Sequence, residues 1–232
     1  MSDSNNRRVL TAGWGKLARW LLGVSRGRLD ETYFCIAGVH ILSRSCADQL
    51  SDVRPDPDIA SRALTLAEAE SIRTNRDFST VRQRLEEGFI CRVAINNAGV
   101  LDQSFWLTER TYPCWPVRTI IDPGPGGKYL FDAYTPEASR RHGRYRRNLA
   151  AWLEQLDPRS GEIIAAVDAF NRRAIISHQN LGFREVARVF CVSVLGFKLF
   201  WLRLSGSVPE IRWLMRAVGK YLVLDVQRRA VH

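Results

Sequence analysis

The sequence predicts an α+β protein, in which short strands form a sheet and a few helices cover it. The first observation is residues 128–156, where an apolar stretch containing Tyr and Phe is followed, after a proline, by a helical pattern. The second is a pair of strand-like segments, residues 89–95 and 100–107, which flank a turn signal at residues 96–99. The third is the apolar run at residues 162–167, which is typical of a strand covered on both faces.

The helix within residues 128–156 has one apolar face. Apolar side chains recur there at steps of three and four, which is the period of an α-helix. This face consists of Tyr145, Leu149, Trp152, Leu153 and Leu156. We expect it to pack on the strand that precedes it.

Local patterns predict further elements on both sides of this unit. Residues 59–64 have the composition of a strand. Thr65 is placed to begin a helix, because Glu68 follows three residues later in a capping-box arrangement. The remaining expected elements are a helix at residues 78–87 and a last hairpin formed by residues 184–194 and 198–204.

Composition indicates one well-buried domain of about 150 residues with extensions, because the chain has 232 residues and is 46% hydrophobic. Its five cysteines are scattered and odd in number, which favours reduced thiols in a cytoplasm over a disulfide framework. The four histidines are dispersed as well, so we expect no metal site. The formal net charge of +10 favours an anionic partner, and nucleic acid, a membrane surface and a phosphate-rich cofactor all qualify.

Arginines crowd the loop and the first turns of the helix after residue 136. They are Arg140, Arg141, Arg144, Arg146 and Arg147. A helix N-terminus carries partial positive charge, so these side chains are unfavourable there by themselves. A bound polyphosphate would reverse the sign, and Gly143 would let it approach the backbone N–H groups. A solvated arginine-rich face is the alternative.

Two segments resemble motifs of the GNAT N-acyltransferase superfamily. The sequence RRHGRY at residues 140–145 is similar to the superfamily's pyrophosphate-binding loop, although Tyr145 replaces a small residue. The sequence NRRAIISHQNLGF at residues 171–183 is similar to its Asn-x-x-Ala-x-x-x-Tyr-x-Lys-Leu-Gly-Phe motif, with His178 in place of the tyrosine and unchanged spacing. The resemblance covers residues 59–204.

The resemblance implies a GNAT acyl-CoA N-acyltransferase fold, with a central, mostly antiparallel mixed sheet and a strand-loop-helix acyl-CoA site. The acyltransferase domain would occupy residues 59–204. Residues 30–58 would add an edge strand at residues 32–41 and a linker at residues 51–58. The predicted flanking units are a basic amphipathic extension at residues 1–29 and a C-terminal helical tail at residues 205–232, whose helix would span residues 211–226.

The resemblance also implies a reaction, the transfer of an acyl group from acetyl-CoA or another acyl-CoA to the primary amine of a small molecule or amino sugar. His178 stands at the tyrosine position and would protonate the departing thiolate. A backbone N–H of residues 131–134 would stabilise the oxyanion. Asp132 and Glu109 are the candidate bases by topology, with relay through water as the alternative. The implied acyl-CoA contacts are Ala133, Tyr134, Thr135, Arg140, Arg141, His142, Gly143, Arg144, Tyr145 and Asn171.

Residues 111–127 are rich in proline and glycine and lack periodicity, so we expect a loop. This loop lies between the hairpin and the following strand, near where acceptors approach in GNAT proteins. Tyr112, Trp115 and Arg118 would line that entrance. A surface loop with one buried aromatic side chain explains the same pattern equally well.

Two other functions stay open at this point. A GNAT-like protein that binds acyl-CoA without catalysis is favoured by the departures at Tyr145 and His178. A basic module that binds the phosphates of nucleic acid or of a membrane surface is favoured by the net charge. The sequence contains no nucleic-acid recognition motif, so we expect no nucleic-acid partner.

Residues 7–28 are predicted to form a basic amphipathic helix, which either contacts a membrane surface or packs on its own domain. No apolar run has the length of a membrane span, and the first residues lack the apolar core of a signal peptide. We therefore expect a cytoplasmic protein, peripheral to the inner face of the membrane if residues 7–28 anchor it.

Overall fold

The computed structural model describes residues 34–48, 50, 59–72, 76–117, 119–194, 197–204, 211–218 and 221–228. Three features of the sequence analysis lie outside these residues. They are the basic helix at residues 7–28, the linker at residues 51–58 and the side chain of Arg118.

Strands dominate the described part of the chain. In chain order they are β1 (Phe34–Ser45), β2 (Ile59–Ala63), β3 (Ile90–Asn96), β4 (Leu101–Thr108), β5 (Tyr112–Cys114), β6 (Thr119–Asp122), β7 (Lys128–Tyr134), β8 (Glu162–Asp168), β9 (Arg184–Val194), β10 (Phe197–Leu204), β11 (Ile211–Val218) and β12 (Tyr221–Arg228). The helices are α1 (Phe78–Glu86), α2 (Arg144–Leu153) and α3 (Arg172–Gln179). Short 3-10 turns occur at Leu66–Glu68, Trp115–Val117 and Glu137–Ser139.

Eight strands form the larger sheet, in the order β10-β9-β1-β8-β7-β4-β3-β2. Neighbouring strands are antiparallel except β7 and β8, which run parallel. The predicted α+β class with a mixed, mostly antiparallel sheet is therefore confirmed. The strand-loop-helix arrangement is present as well, because β7 leads through a loop into α2.

β1 lies inside the larger sheet, whereas we predicted an edge strand. It pairs with β8 on one side and with β9 on the other. Val39 and Ile41 enter one apolar cluster, and Leu42 enters the cluster on the opposite face. A strand that is apolar on both faces is stable only when both faces are covered, and an interior position provides this.

The C-terminal part is a β-hairpin, so the helix predicted at residues 211–226 is wrong. β11 pairs with β12, and β12 pairs in parallel with β6, which gives a second sheet in the order β11-β12-β6-β5. Both C-terminal segments contain β-branched and aromatic residues, and the pairing with β6 overrides their helical spacing. The prediction that residues 111–127 are a loop without strands is also wrong. This segment contains β5 and β6, which pair with each other in the second sheet.

The apolar face predicted for α2 packs on the larger sheet. Its buried members are Leu149, Trp152 and Leu153, and its partly buried members are Tyr145 and Leu156. The Trp152 ring meets Phe105 of β4 edge to face, with 5.6 Å between ring centroids. α2 is therefore fixed directly over β4.

The opposite face of the sheet is covered by α1, which buries Val81. The carboxylate of Asp77 begins this helix by accepting a hydrogen bond from the Thr80 N–H at 3.0 Å. The capping box is also present, because Glu68 accepts from the Thr65 N–H at 3.2 Å. It begins a 3-10 turn and not the longer helix that we predicted.

β7 and β8 are paired only at their beginnings. The last pair is Leu130 with Ala165, although the strands continue to Tyr134 and Asp168. The two strands therefore separate towards their carboxyl ends.

A β-bulge in β7 accompanies this separation. Two residues of β7, Asp132 and Ala133, lie opposite the single residue Phe105 of β4. Asp132 takes a left-handed conformation with a φ of 50°. A bulge bends and twists its strand, which accounts for the divergence of β7 from β8.

Leu149→Ala tests the packing of α2 on the sheet. Leu149 is fully buried, so we expect the substitution to leave a cavity and to lower the free energy of unfolding by about 2–5 kcal/mol, measured by urea denaturation. Arg146→Ala on the exposed side of the same helix is the control and should change it by about 0.5 kcal/mol or less. Equal effects of the two substitutions would contradict this packing.

Candidate active site

A cavity of about 1140 Å³ opens where β7 and β8 separate. The implied acyl-CoA contacts that line it are Ala133, Tyr134, Thr135, Arg140, Arg141, Tyr145 and Asn171. Both candidate catalytic residues, Asp132 and His178, also line it. His142, Gly143 and Arg144 do not.

The loop between β7 and α2 has a conformation that depends on Gly143. Arg140 Nε donates a hydrogen bond to the Thr135 carbonyl oxygen at 3.0 Å. Arg141 and Gly143 then take left-handed conformations, with φ of 72° and 69°. A Cβ atom added at position 143 would meet no protein atom within 4 Å other than those of its two chain neighbours, so the space beside this residue is open to a ligand.

The first turn of α2 is a candidate anion site at the exposed side of this loop. The Arg147 N–H donates to the Gly143 carbonyl oxygen at 3.2 Å, so the N–H groups of residues 144–146 have no acceptor within the helix. Arg140 and Arg141 are exposed beside them. The helix dipole, the N–H groups and the guanidinium groups together favour phosphate.

Arg144 has a structural position that the sequence did not predict. Its guanidinium forms an ion pair with Asp102, a carboxylate of β4 that is fully buried. Asn148 donates a hydrogen bond to Gln103 beside it, and both of these side chains are buried. The two contacts tie the start of α2 to β4. Arg144 therefore has a structural role and does not line the cavity.

Two arginines hold Asp132, one of the candidate bases. Arg76 is bidentate, with Nε 2.6 Å from Oδ2 and Nη2 2.8 Å from Oδ1, and Arg84 Nη1 donates to Oδ2 at 2.7 Å. Burial would raise the pKa of Asp132, but these hydrogen bonds outweigh it and lower the pKa below its ordinary value. A carboxylate that is stabilised in its charged form accepts a proton poorly, so this pairing is unfavourable for a base.

Sequence reasoning missed Arg76 and Arg84, which both line the cavity. Their partner Asp132 lies 56 and 48 residues further along the chain. The Arg84 guanidinium also lies 5.1 Å from the Trp106 ring centroid and 5.3 Å from that of Phe131. No local pattern marks an arginine for such contacts, so the sequence contains no usable signal for them.

The other carboxylates differ in their relation to the cavity. Glu109 is exposed, is paired with Lys128 and does not line the cavity. Glu137 and Asp168 do line it. Asp168 accepts a hydrogen bond from the Phe170 N–H at 2.8 Å, within the turn that follows β8.

His178 is buried at the cavity wall, with a partner for each ring nitrogen. Nδ1 lies 2.8 Å from the Ala174 carbonyl oxygen, and Nε2 lies 2.9 Å from the Tyr145 hydroxyl oxygen. Burial lowers the pKa of His178, although the bond to Ala174 opposes this, and burial raises the pKa of Tyr145. At neutral pH the imidazole is therefore neutral and the phenol keeps its proton.

The β5 segment forms the wall on the side where we expect the acceptor. Tyr112 and Trp115 line the cavity there. The Tyr112 ring packs on Phe131 with 4.5 Å between centroids, whereas Trp115 is 54% exposed. The rim of the cavity thus presents one fixed and one exposed aromatic ring.

In the described residues, no group of three His, Cys, Asp or Glu side chains is arranged to hold a metal ion. None of the described helices is both long enough and apolar enough to cross a membrane.

No protein-family model matches the sequence, and no curated protein matches it. Among solved structures, a GCN5-related N-acetyltransferase from Sphaerobacter thermophilus is 10% identical, with a TM-score of 0.46 over 75% of this chain and 54% of that one. A Drosophila protein is 16% identical, with a TM-score of 0.46 over 83% of this chain and 58% of that one. A Salmonella typhimurium protein, assigned as an acetyltransferase and solved with acetyl-CoA, is 16% identical, with a TM-score of 0.35 over 55% of this chain and 80% of that one.

These likenesses are distant, and the assignment of the site depends on the chain's own residues. The chain spans less than two thirds of the length of the Sphaerobacter and Drosophila proteins.

Asp132→Asn tests the ion pairs in the bulge. It leaves Arg76 and Arg84 facing a neutral side chain, so we expect the free energy of unfolding at pH 7 to fall by about 2–4 kcal/mol, measured with urea. Because the pKa of Asp132 is lowered in the folded state, the parent keeps this contribution above about pH 4. It loses the contribution as the pH falls through the folded pKa, and the two proteins should converge there.

The control for this comparison is Arg82→Ala, which removes an exposed ion pair with Glu86 on the same helix. It should change the free energy of unfolding by about 0.5 kcal/mol or less. If Asp132→Asn is as stable as the parent at pH 7, the ion pairs do not stabilise the bulge.

Proposed function

We propose that this chain is a GNAT-type acyltransferase. It moves an acyl group from an acyl-CoA, with acetyl-CoA as the first candidate donor, to the primary amine of a small molecule or an amino sugar. The observation that carries the proposal is the cavity between the separated ends of β7 and β8, which leads to the arginine-rich loop at the start of α2. A cavity with a candidate anion site at one end can hold the thioester in the cavity and the pyrophosphate at the anion site.

In this proposal the extended arm of coenzyme A lies along the end of β7. Among the described strands, residues 131–134 have no partner on the β8 side, so their backbone groups would bond the amides of the arm as a neighbouring strand would. The pyrophosphate would bind Arg140, Arg141 and the N-terminus of α2. Asn171, the N-cap of α3, would contact the arm from the other wall.

The thioester carbonyl would lie near the bulge. A backbone N–H of residues 131–134 would stabilise the oxyanion, because a fixed dipole in a site with little water needs no reorganisation. His178 stays the residue that we propose for protonation of the thiolate. Since both of its nitrogens have protein partners, the proton would pass through the Tyr145 hydroxyl.

The acceptor would enter past β5. Tyr112 and Trp115 offer flat apolar surfaces that suit a sugar ring or another small amine, and the ion pairs of Asp132 form a charged wall beside them. The volume of about 1140 Å³ slightly exceeds the range of ligand pockets, which typically reach about 1000 Å³. The cavity therefore has room for the coenzyme A arm and a small acceptor together.

Binding of acyl-CoA without catalysis is a second candidate function. It is favoured by the hydrogen bonds of His178 and by the ion pairs of Asp132, which engage both candidate catalytic side chains within the protein. A cytoplasmic location and membrane contact through residues 7–28 remain predictions for either candidate.

Two experiments separate these functions. Calorimetry with acetyl-CoA at several salt concentrations should show binding that weakens as salt rises, because salt screens the contacts to phosphate. Incubation of acetyl-CoA with a panel of amino sugars, amino acids and small amines should release free thiol and acetylated product. Binding with turnover supports the acyltransferase, and binding without turnover supports the second candidate. No binding rejects both and leaves the basic phosphate-binding module.

Gly143→Val tests the loop assignment. The side chain would enter the space beside the loop and would also strain a residue at positive φ, so we expect the affinity for acetyl-CoA to fall at least about tenfold, a loss of about 1.4 kcal/mol. Gly99→Val is the matched control, because Gly99 has a φ of 76° and open space around it, in the turn between β3 and β4. It should strain the backbone similarly and leave the affinity unchanged. Unchanged affinity in folded Gly143→Val would refute the loop assignment.

A further inference from the structure

We propose that Tyr145 and His178 form a proton shuttle, in which one pair takes the proton from the attacking amine and returns it to the coenzyme A thiolate. This inference deepens the proposed acyltransferase function and rests on it. It removes the need for a separate general base.

The hydrogen bonds of the pair fix the position of each proton. A carbonyl oxygen only accepts, so the contact of 2.8 Å to Ala174 places a hydrogen on His178 Nδ1. In the neutral ring Nε2 is then an acceptor, and the Tyr145 hydroxyl donates to it across 2.9 Å. The Tyr145 oxygen keeps a lone pair, and both side chains line the cavity. A proton that reaches the phenol oxygen therefore has a path to the imidazole.

The two side chains are also the two departures from the GNAT motifs. Tyr145 stands where the first motif has a small residue, and His178 stands where the second motif has tyrosine. Separately, each is a single substitution, but the structure brings them into contact with 5.5 Å between ring centroids. The structure thus places a phenol on α2 and an imidazole on α3, joined by a hydrogen bond.

Neither carboxylate that the sequence offered as a base is suited to compete with the pair. Asp132 is held in its charged form by Arg76 and Arg84, and Glu109 is outside the cavity. The other charged side chains that line the cavity are Glu137, Arg140, Arg141, Asp168 and Arg173. Arg144, next to Tyr145 in the chain, is paired with Asp102.

The proton transfers balance over one reaction cycle. The neutral amine attacks the thioester carbon, and the intermediate carries a positive nitrogen and a negative oxygen. The nitrogen gives a proton to the Tyr145 oxygen while the Tyr145 hydroxyl proton moves to His178 Nε2, which forms an imidazolium. When the carbon–sulfur bond breaks, the thiolate takes a proton from Tyr145, and Nε2 returns its proton to the phenol. The products are the amide and the coenzyme A thiol, and the pair is restored.

Two substitutions test the shuttle. Tyr145→Phe removes the relaying hydroxyl and keeps the ring. In His178→Gln the amide can still donate to Ala174 and accept from Tyr145, but it takes up no proton. We expect each to lower kcat for acetyl transfer at least about a hundredfold, with little change in acetyl-CoA affinity by calorimetry. His40→Gln is the matched control and should keep the parent kcat, because His40 bonds Glu185 outside the cavity.

The pH profile separates a shuttle from a structural role. His178 accepts a proton only when it is neutral, and burial lowers its pKa. With trifluoroethylamine, a weakly basic acceptor that stays unprotonated near neutrality, kcat/KM of the parent should therefore fall only below about pH 6.5. In His178→Gln the part of this fall that comes from the imidazole should be lost, and only the fall that comes from protonation of the amine itself should remain.

Nuclear magnetic resonance of the protein with 15N-labelled histidine tests the pair without any acceptor. At pH 7 we expect the neutral Nδ1–H tautomer for His178, with a hydrogen-bonded Nε2 whose signal shifts in Tyr145→Phe. The Nε2–H tautomer, or an imidazolium at pH 7, would overturn the shuttle.

Kinetic outcomes distinguish failure of the shuttle from failure of the proposed function. If the parent transfers acetyl groups and either Tyr145→Phe or His178→Gln keeps its rate, the shuttle is wrong and the acyltransferase stands. If the parent binds acetyl-CoA but transfers to no acceptor, both are wrong and the second candidate function remains. If the parent binds no acetyl-CoA, the proposed function itself fails.

Discussion

The bulge in β7 is held by the ion pairs of its left-handed residue. Asp132 has a φ of 50°, which costs about 1–2 kcal/mol for a residue with a side chain. Hydrogen bonds to charged groups contribute about 1.5–3 kcal/mol each, and Asp132 accepts three from Arg76 and Arg84. Even when the half-exposed Arg76 is discounted for screening by solvent, these bonds outweigh the strain. β7 can therefore leave β8 at Leu130, and the cavity exists because of that separation.

The separation of β7 from β8 leaves α2 and α3 to form the walls of the cavity. α2 and α3 both pack on the same face of the sheet, where Leu149 of α2, Ala174 of α3 and Phe183 belong to one apolar cluster. This cluster holds the arginine-rich loop and the Tyr145–His178 pair. The ion pair between the partly exposed Arg144 and the buried Asp102 fixes the first residue of α2 against β4. Positions at the cavity are thus set by contacts to the rigid sheet, as a site that must align several groups requires.

The sequence predicts those parts of the molecule whose causes are local. α2, the hairpin of β3 and β4, and β8 follow from periodicity and turn chemistry, and these act over a few residues. The interior position of β1 and the pairing of β12 with β6 depend on partners far along the chain, which no window of sequence contains. The site divides in the same way. Contiguous motifs supply Arg140, Asn171 and His178 to the cavity wall, whereas Arg76 and Arg84 reach Asp132 across 56 and 48 residues.

The Tyr145–His178 pair is informative because buried polar side chains stabilise a fold less than apolar side chains at the same positions. Both side chains lie against an apolar cluster that includes Leu181 and Phe183, where leucine or phenylalanine would pack without polar groups to satisfy. A buried polar group that loses its partner costs about 1–3 kcal/mol, whereas a neutral hydrogen bond contributes only about 1 kcal/mol net. The complete chain from Tyr145 through His178 to the Ala174 carbonyl therefore gains little stability over an apolar filling. An arrangement that is complete in its hydrogen bonds, gains little for the fold and lines the cavity is better explained by chemistry on a ligand than by packing.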